Sequence, residues 1–217
     1  MNENPASPGN LVDTNDSLEA VSVFRGWKNV FFGVVVVCLV LIQMAFWLIN
    51  LKIVEIPAAP APATATADKA TPASSVPNPP FLPGFDFAHT ARAVELLNGI
   101  LIVAAVLLAA SIFFGLMVSL VGRLGGLNHI SRAFILALIA VVLLIPWQSL
   151  RLNVLGVTWT PDELAQWLPA KGVNIWSTII FYLRFTGYWA AVLLLLLLSQ
   201  ARSTRWSKSI LHRLEII

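Results

Sequence analysis

Few side chains in this sequence are equipped for chemistry, and the foremost is Arg184, a full charge set well inside the apolar stretch 175–200. A charge at membrane depth is a functional candidate by default. Arg184 could bind an anionic substrate or lipid, with Gln43, Asn98, Tyr182 and Tyr188 orienting it. It could equally pair with a carboxylate and close a helix bundle, and Glu95 is the expected partner. Counted inward from the outer helix ends at 1.5 Å per residue, Glu95 lies at roughly 6 Å, Gln43 and Asn98 at roughly 10 Å, and Arg184 at roughly 14 Å. Those four residues form one polar tier. Arg184 also shares a helical face with Ser177, Gly187 and Ala191, small residues suited to contact between helices. The structural reading, in which Arg184 locks the fourth helix to the second, is therefore preferred.

The remaining candidates carry less. His89, His129 and His212 fall at a helix edge, a turn and a tail, which does not suit a shared metal site or haem ligation. The single cysteine, Cys38, stands in an apolar run, so there is no CxxC pair and no disulfide within the chain. Asp162 and Glu163 follow Thr160 and Pro161 as the first turn of a capping box, and capping accounts for both acids. Gly125, Gly126, Asn128 and His129, flanked by Arg123 and Arg132, could cradle an anion, but the stretch lacks GxxxxGK[ST] and serves equally as a tight hairpin. GxSxG, HExxH and paired intramembrane aspartates are absent. So are the cysteine signatures of tetraspanins and claudins and the deep glutamate of small multidrug exporters. The expectation is a protein with no catalytic residue, no cofactor and no metal.

The elements that must position Arg184 follow from composition. The chain is 58% hydrophobic and only 12% charged, with a mean hydropathy of +0.79. A soluble domain carries about twice that charge. The fold class expected is an all-α integral membrane protein, four transmembrane helices with short amphipathic interfacial helices. Residues 1–16 read as a disordered tail and 17–29 as an interfacial lead-in helix, followed by an uncharged first span over 30–50. Residues 51–88 are a Pro- and Ala-rich linker that cannot bury enough apolar surface to fold.

The second span, 89–122, carries a stripe of small residues, Ala104, Ser111, Gly115, Ser119 and Gly122, a seam along which helix backbones can approach closely. The third, 131–148, repeats the device with Ala133, Ala137 and Ala140, and Ser131 is its expected N-cap. Within the loop 149–174, a short helix over 161–168 is expected to lie on the membrane surface. The fourth span, 175–200, leads into a basic amphipathic tail, 201–217, whose face of Trp206, Ile210, Leu214 and Ile217 suits a bilayer with anionic headgroups.

Lysines and arginines set the orientation. Arg25, Lys28, Arg123, Arg132, Arg202, Arg205, Lys208 and Arg213 gather on one side, against Lys52, Lys69, Arg92, Arg151 and Lys171 on the other. Both termini are expected to be cytoplasmic, in a cell or inner membrane. Scattered basic residues argue against nucleic acid as a partner. The function expected is that of a non-catalytic interaction or scaffold subunit, with a membrane-protein partner or a second copy of itself. The alternative is a small transporter or channel whose anion or lipid path passes Arg184.

Overall fold

The computed structural model describes residues 8–51, 53–54, 87–121, 127–147, 156–169, 171–172 and 174–214. Among these the secondary structure is helical, with no strand: α1 Pro8–Asn50, α2 Phe87–Val121, α3 Leu127–Leu144, α4 Pro161–Trp167, α5 Ile175–Tyr182, a π turn Leu183–Gly187, and α6 Tyr188–Leu214. The π turn joins α5 and α6 into one continuous rod. Four stretches are long and apolar enough to cross a membrane: Ser22–Asn50, Phe87–Val121, Leu127–Leu144 and Ile175–Lys208.

The four long helices form a ring. Helix α1 packs along α2, α2 along α3 and α3 along α6, and a lighter contact between α6 and α1 closes the circuit. Neighbours run antiparallel, as Phe24 near the start of α1 stacking on Phe114 near the end of α2 illustrates (5.8 Å between ring centroids). Helix α1 buries Val35, Cys38, Leu39, Ile42, Phe46 and Ile49, a three-and-four spacing that keeps one face inward. Its opposite face, with Val37, Val40 and Met44, is exposed and apolar. That inversion of the soluble pattern is what a lipid solvent permits.

Ala104, Ser111, Gly115 and Ser119 are buried, as are Ala133, Ala137 and Ala140, while Gly122 lies outside the described residues. At Gly115 an added Cβ would come within 3.2 Å of Ile130 Cδ1 and 3.6 Å of the Trp206 ring, so α3 and α6 close against bare backbone there.

Several boundaries differ from the sequence expectation. Helix α1 is unbroken from Pro8, so residues 8–16 are helical and no separate lead-in helix exists over 17–29. Once nucleated on a packed span, a helix extends at little cost. The first seven residues, residues 55–86 of the linker and residues 215–217 lie outside the described residues. Helix α3 begins at Leu127, which takes Ser131 off the N-cap and puts Asn128 and His129 in the first turn. Gly125 and Gly126 fall outside the described residues.

The helix of the fourth span likewise does not stop at Gln200 but runs on to Leu214, its apolar stretch ending at Lys208. Helix α4 forms where expected, with the Thr160 hydroxyl accepting from the Glu163 N–H (3.3 Å) and Pro161 in the first turn. Its Pro161 and Leu164 are buried, while Asp162 and Gln166 on the other side are exposed.

Candidate functional site

Arg184 sits in the π turn and is only 2% exposed. A π turn adds a residue to the helix and rotates everything beyond it by about one position. The buried stripe of α6 accordingly runs through Val192, Leu196, Ser199 and Ser203, whereas Ala191, expected on Arg184's face, is exposed.

The guanidinium is gripped from one side by a short strap, residues 156–160, and by helix α4 behind it. Four hydrogen bonds leave it. Nε and Nη2 both donate to Glu163 Oε1, at 3.2 and 2.9 Å, and Nη1 donates to the Gly156 carbonyl. Nη2 also reaches the Thr158 carbonyl at 3.5 Å. Below, the Arg184 Cζ lies 5.5 Å from the Phe185 ring, over a cluster in which Phe46 stacks on Phe185 (5.5 Å) and Trp159 meets both edge-on.

The strap is tied in turn to the end of α3, since Val157 N–H donates to Leu143 O at 3.0 Å. Gly156 passes so close to that end that an added Cβ would stand 2.7 Å from Ile145 O. Only glycine fits there, and its carbonyl is thereby aimed at Arg184.

This arrangement corrects the pairing expected from the sequence. The carboxylate that meets Arg184 is Glu163 (12% exposed), not Glu95, which is exposed and forms no ion pair with it. The capping account of Glu163 was incomplete: its backbone N–H serves the cap while its side chain serves the arginine. The depth count misled because it considered only groups on long helices. Helix α4 is too short to span, yet its Glu163 reaches Arg184.

The other members of the tier meet the same strap or the same turn. Asn98 Nδ2 donates to the Trp159 carbonyl at 3.0 Å. The Gln43 amide faces the π turn. With its nitrogen towards the Phe185 carbonyl (3.2 Å), its oxygen accepts from the Thr186 hydroxyl and from Trp47 Nε1, both at 3.3 Å. It thereby satisfies a carbonyl in the region where the widened turn disturbs the backbone ladder. Tyr188 lies 6.0 Å from Arg184 Cζ, whereas Tyr182 faces Lys171 and Trp47 instead. The strap joins Asn98 to Arg184, while Gln43 meets the π turn directly.

No family model, curated protein or solved structure matches the chain. What the site can do has therefore to be read from its geometry. The Arg184 donors are directed to Glu163 and to the Gly156 and Thr158 carbonyls. Among the described residues no group of three or more His, Cys, Asp or Glu converges as metal ligands.

A second polar cluster, at the opposite end of the ring, escaped the sequence reading. Lys28 is 4% exposed and donates to Ser203 Oγ at 2.9 Å. Nearby, Gln200 donates to Asn29 Oδ1 (2.9 Å), Ser199 to the Ala133 carbonyl (2.8 Å) and Trp206 Nε1 to Ser119 Oγ (3.4 Å). Lys28 and Trp206 were expected at the membrane interface, and both are inside. Trp206 therefore does not anchor the tail to headgroups, and the side chains of residues 209–217 lie outside the description. The signal that would have found this cluster is the four-residue repeat Ser199, Ser203, Ser207, a small-residue stripe like those of α2 and α3.

Proposed function

We propose that this chain is an integral membrane protein that acts as a non-catalytic interaction or scaffold subunit of a larger membrane assembly. The observation that carries the reading is the state of Arg184: a buried guanidinium whose hydrogen bonds all go to Glu163 and to the strap. A buried charge already held by a carboxylate and two carbonyls suits locking a bundle better than binding a passing anion or lipid headgroup. The anion or lipid path at Arg184 thus loses its main support. The broad apolar outer faces of α1, α2 and α3 are the surfaces left for partners and lipid.

Purification in mild detergent, followed by identification of co-purifying membrane proteins and by measurement of the mass of the complex, tests this reading. A stoichiometric partner or a defined homo-oligomer is the expected result. A solitary protomer that mediates anion flux in liposomes would reverse it.

A further inference from the structure

Glu95 and Gly99 stand one turn apart on α2 and form a ridge with a depression on either side. On one side is a cavity of about 240 Å³ whose lining includes Glu95, Asn98, Gly99, Thr158 and Thr160. On the other, an apolar groove of about 550 Å³ runs between α1 and α2, walled by Val34, Ile100, Val103 and Leu107, and again by Glu95 and Gly99. The two depressions share these last two residues, and glycine leaves the ridge low between them.

The polar side is rich in acceptors. Asn98 spends its amide nitrogen on the Trp159 carbonyl, while its Oδ1 is buried and makes no hydrogen bond among the described residues. The same is true of Thr158 Oγ1, on a residue 6% exposed. Beside them the Glu95 carboxylate forms no ion pair among the described residues. Two acceptors and an anion call for a cation with several N–H donors, and a primary ammonium supplies three. The groove calls for a hydrocarbon chain.

Depth agrees with this division. Helix α2, at 35 residues, is about 52 Å long against a hydrocarbon core of about 30 Å. Glu95, eight residues into it, falls near the headgroup boundary, and the groove continues deeper to Leu107. Arg92, exposed one turn before Glu95, provides a cation at the level of a lipid phosphate.

We infer that the two depressions together bind one lipid with a primary-ammonium headgroup, its ammonium in the cavity against Glu95, Asn98 and Thr158 and an acyl chain in the groove. The inference rests on the membrane reading above.

The test uses the full chain, delipidated in detergent and offered equal amounts of dioleoyl phosphatidylethanolamine and dioleoyl phosphatidylcholine, with bound lipid quantified by mass spectrometry. Enrichment of the ethanolamine lipid by about tenfold is expected, the factor that one charge-assisted hydrogen bond supplies. Glu95→Gln should abolish the preference. Gly99→Leu should reduce retention of both lipids, and because a Cβ at Gly99 would touch nothing within 4 Å, its folding should be unaffected.

Equal retention of the two lipids by the wild-type chain, or an unchanged preference in Glu95→Gln, would overturn the proposal. So would free ethanolamine binding as tightly as the lipid, which would mark a site for soluble amines. Release of the chain from membranes by alkaline carbonate would instead overturn the membrane reading itself.

Discussion

Arg184 Nη2 stands 2.9 Å from Glu163 Oε1, and this ion pair ties the rod formed by α5 and α6 to the short helix that precedes it in sequence, not to α2. Because Glu163 belongs to the first turn of α4, the arginine also fixes where that helix begins.

Removing one partner of a buried pair leaves the other charge uncompensated, at a cost of about 3–5 kcal/mol. Glu163→Ala is therefore expected to lower unfolding stability in detergent by that amount, whereas Glu95→Ala should change it by no more than about 0.5 kcal/mol. Replacing both partners with apolar residues, Arg184→Met with Glu163→Leu, should recover most of the loss. Equal damage from Glu95→Ala and Glu163→Ala in chemical denaturation would argue for the pairing first expected from the sequence.

Gly156 offers a second probe of the same contact, since it contributes no side chain and yet is irreplaceable on geometric grounds. Its added Cβ would meet a backbone oxygen, Ile145 O, that has no flexible end to swing aside. Gly156→Ala should cost about 1–3 kcal/mol as an overpacking change. Combined with Glu163→Ala, it should cost less than the sum of the two, because both loosen the hold on one guanidinium. Strict additivity in that double mutant would show that strap and ion pair act independently.

The long-range parts of this fold that were legible in the sequence are those written as periodicity. The seam from Ala104 to Ser119 and the alanines of α3 announced their buried faces because only small residues let helices approach in lipid. Pro161 and Thr160 announced α4 for an equally local reason, the chemistry of a helix start. What could not be read was the destination of α4. Whether the acid of a capped seven-residue helix meets a distant arginine depends on where the loop around it returns, and a helical wheel carries no such information.

The π turn was hidden too. Its sequence, Leu183 to Gly187, fits an ordinary helix, and the extra residue became visible only as the rotation that exposes Ala191. Lys28 was misread because a lysine near a helix end normally extends to headgroups. The serine stripe of α6 instead made room for it inside.

Lys28 is consequently an expensive residue. It is buried, and its hydrogen bond is to a neutral hydroxyl, Ser203 Oγ. Among the described residues no carboxylate lies within ion-pair distance of it. A shape-matched apolar side chain avoids desolvating that charge, so Lys28→Met should raise stability by on the order of 1 kcal/mol. Ser203→Ala, which removes the hydroxyl and keeps the charge, should lower it. Both follow from thermal unfolding of the purified variants, and a loss in Lys28→Met would mean that the lysine has a stabilising partner beyond Ser203.

The burial of Lys28 also bears on the orientation of the whole chain, because it takes one positive charge out of the topological count. In the sequence-based count Arg25, Arg123, Arg132, Arg202, Arg205, Lys208 and Arg213 are still set against Lys52, Lys69, Arg92, Arg151 and Lys171, so the expected bias narrows but keeps its sign. Surface-exposed cations near span ends are what the positive-inside preference reads. On that basis the expected orientation has both termini and the turn around Gly125 in the cytoplasm and the linker between α1 and α2 outside. In a Cys38→Ala background, Ser75→Cys should be labelled in intact cells by a membrane-impermeant maleimide, and Gly125→Cys should be labelled only after permeabilisation. The opposite pattern would invert the topology, place Glu95 and the ammonium cavity at the cytoplasmic leaflet, and require the lipid to be drawn from that side.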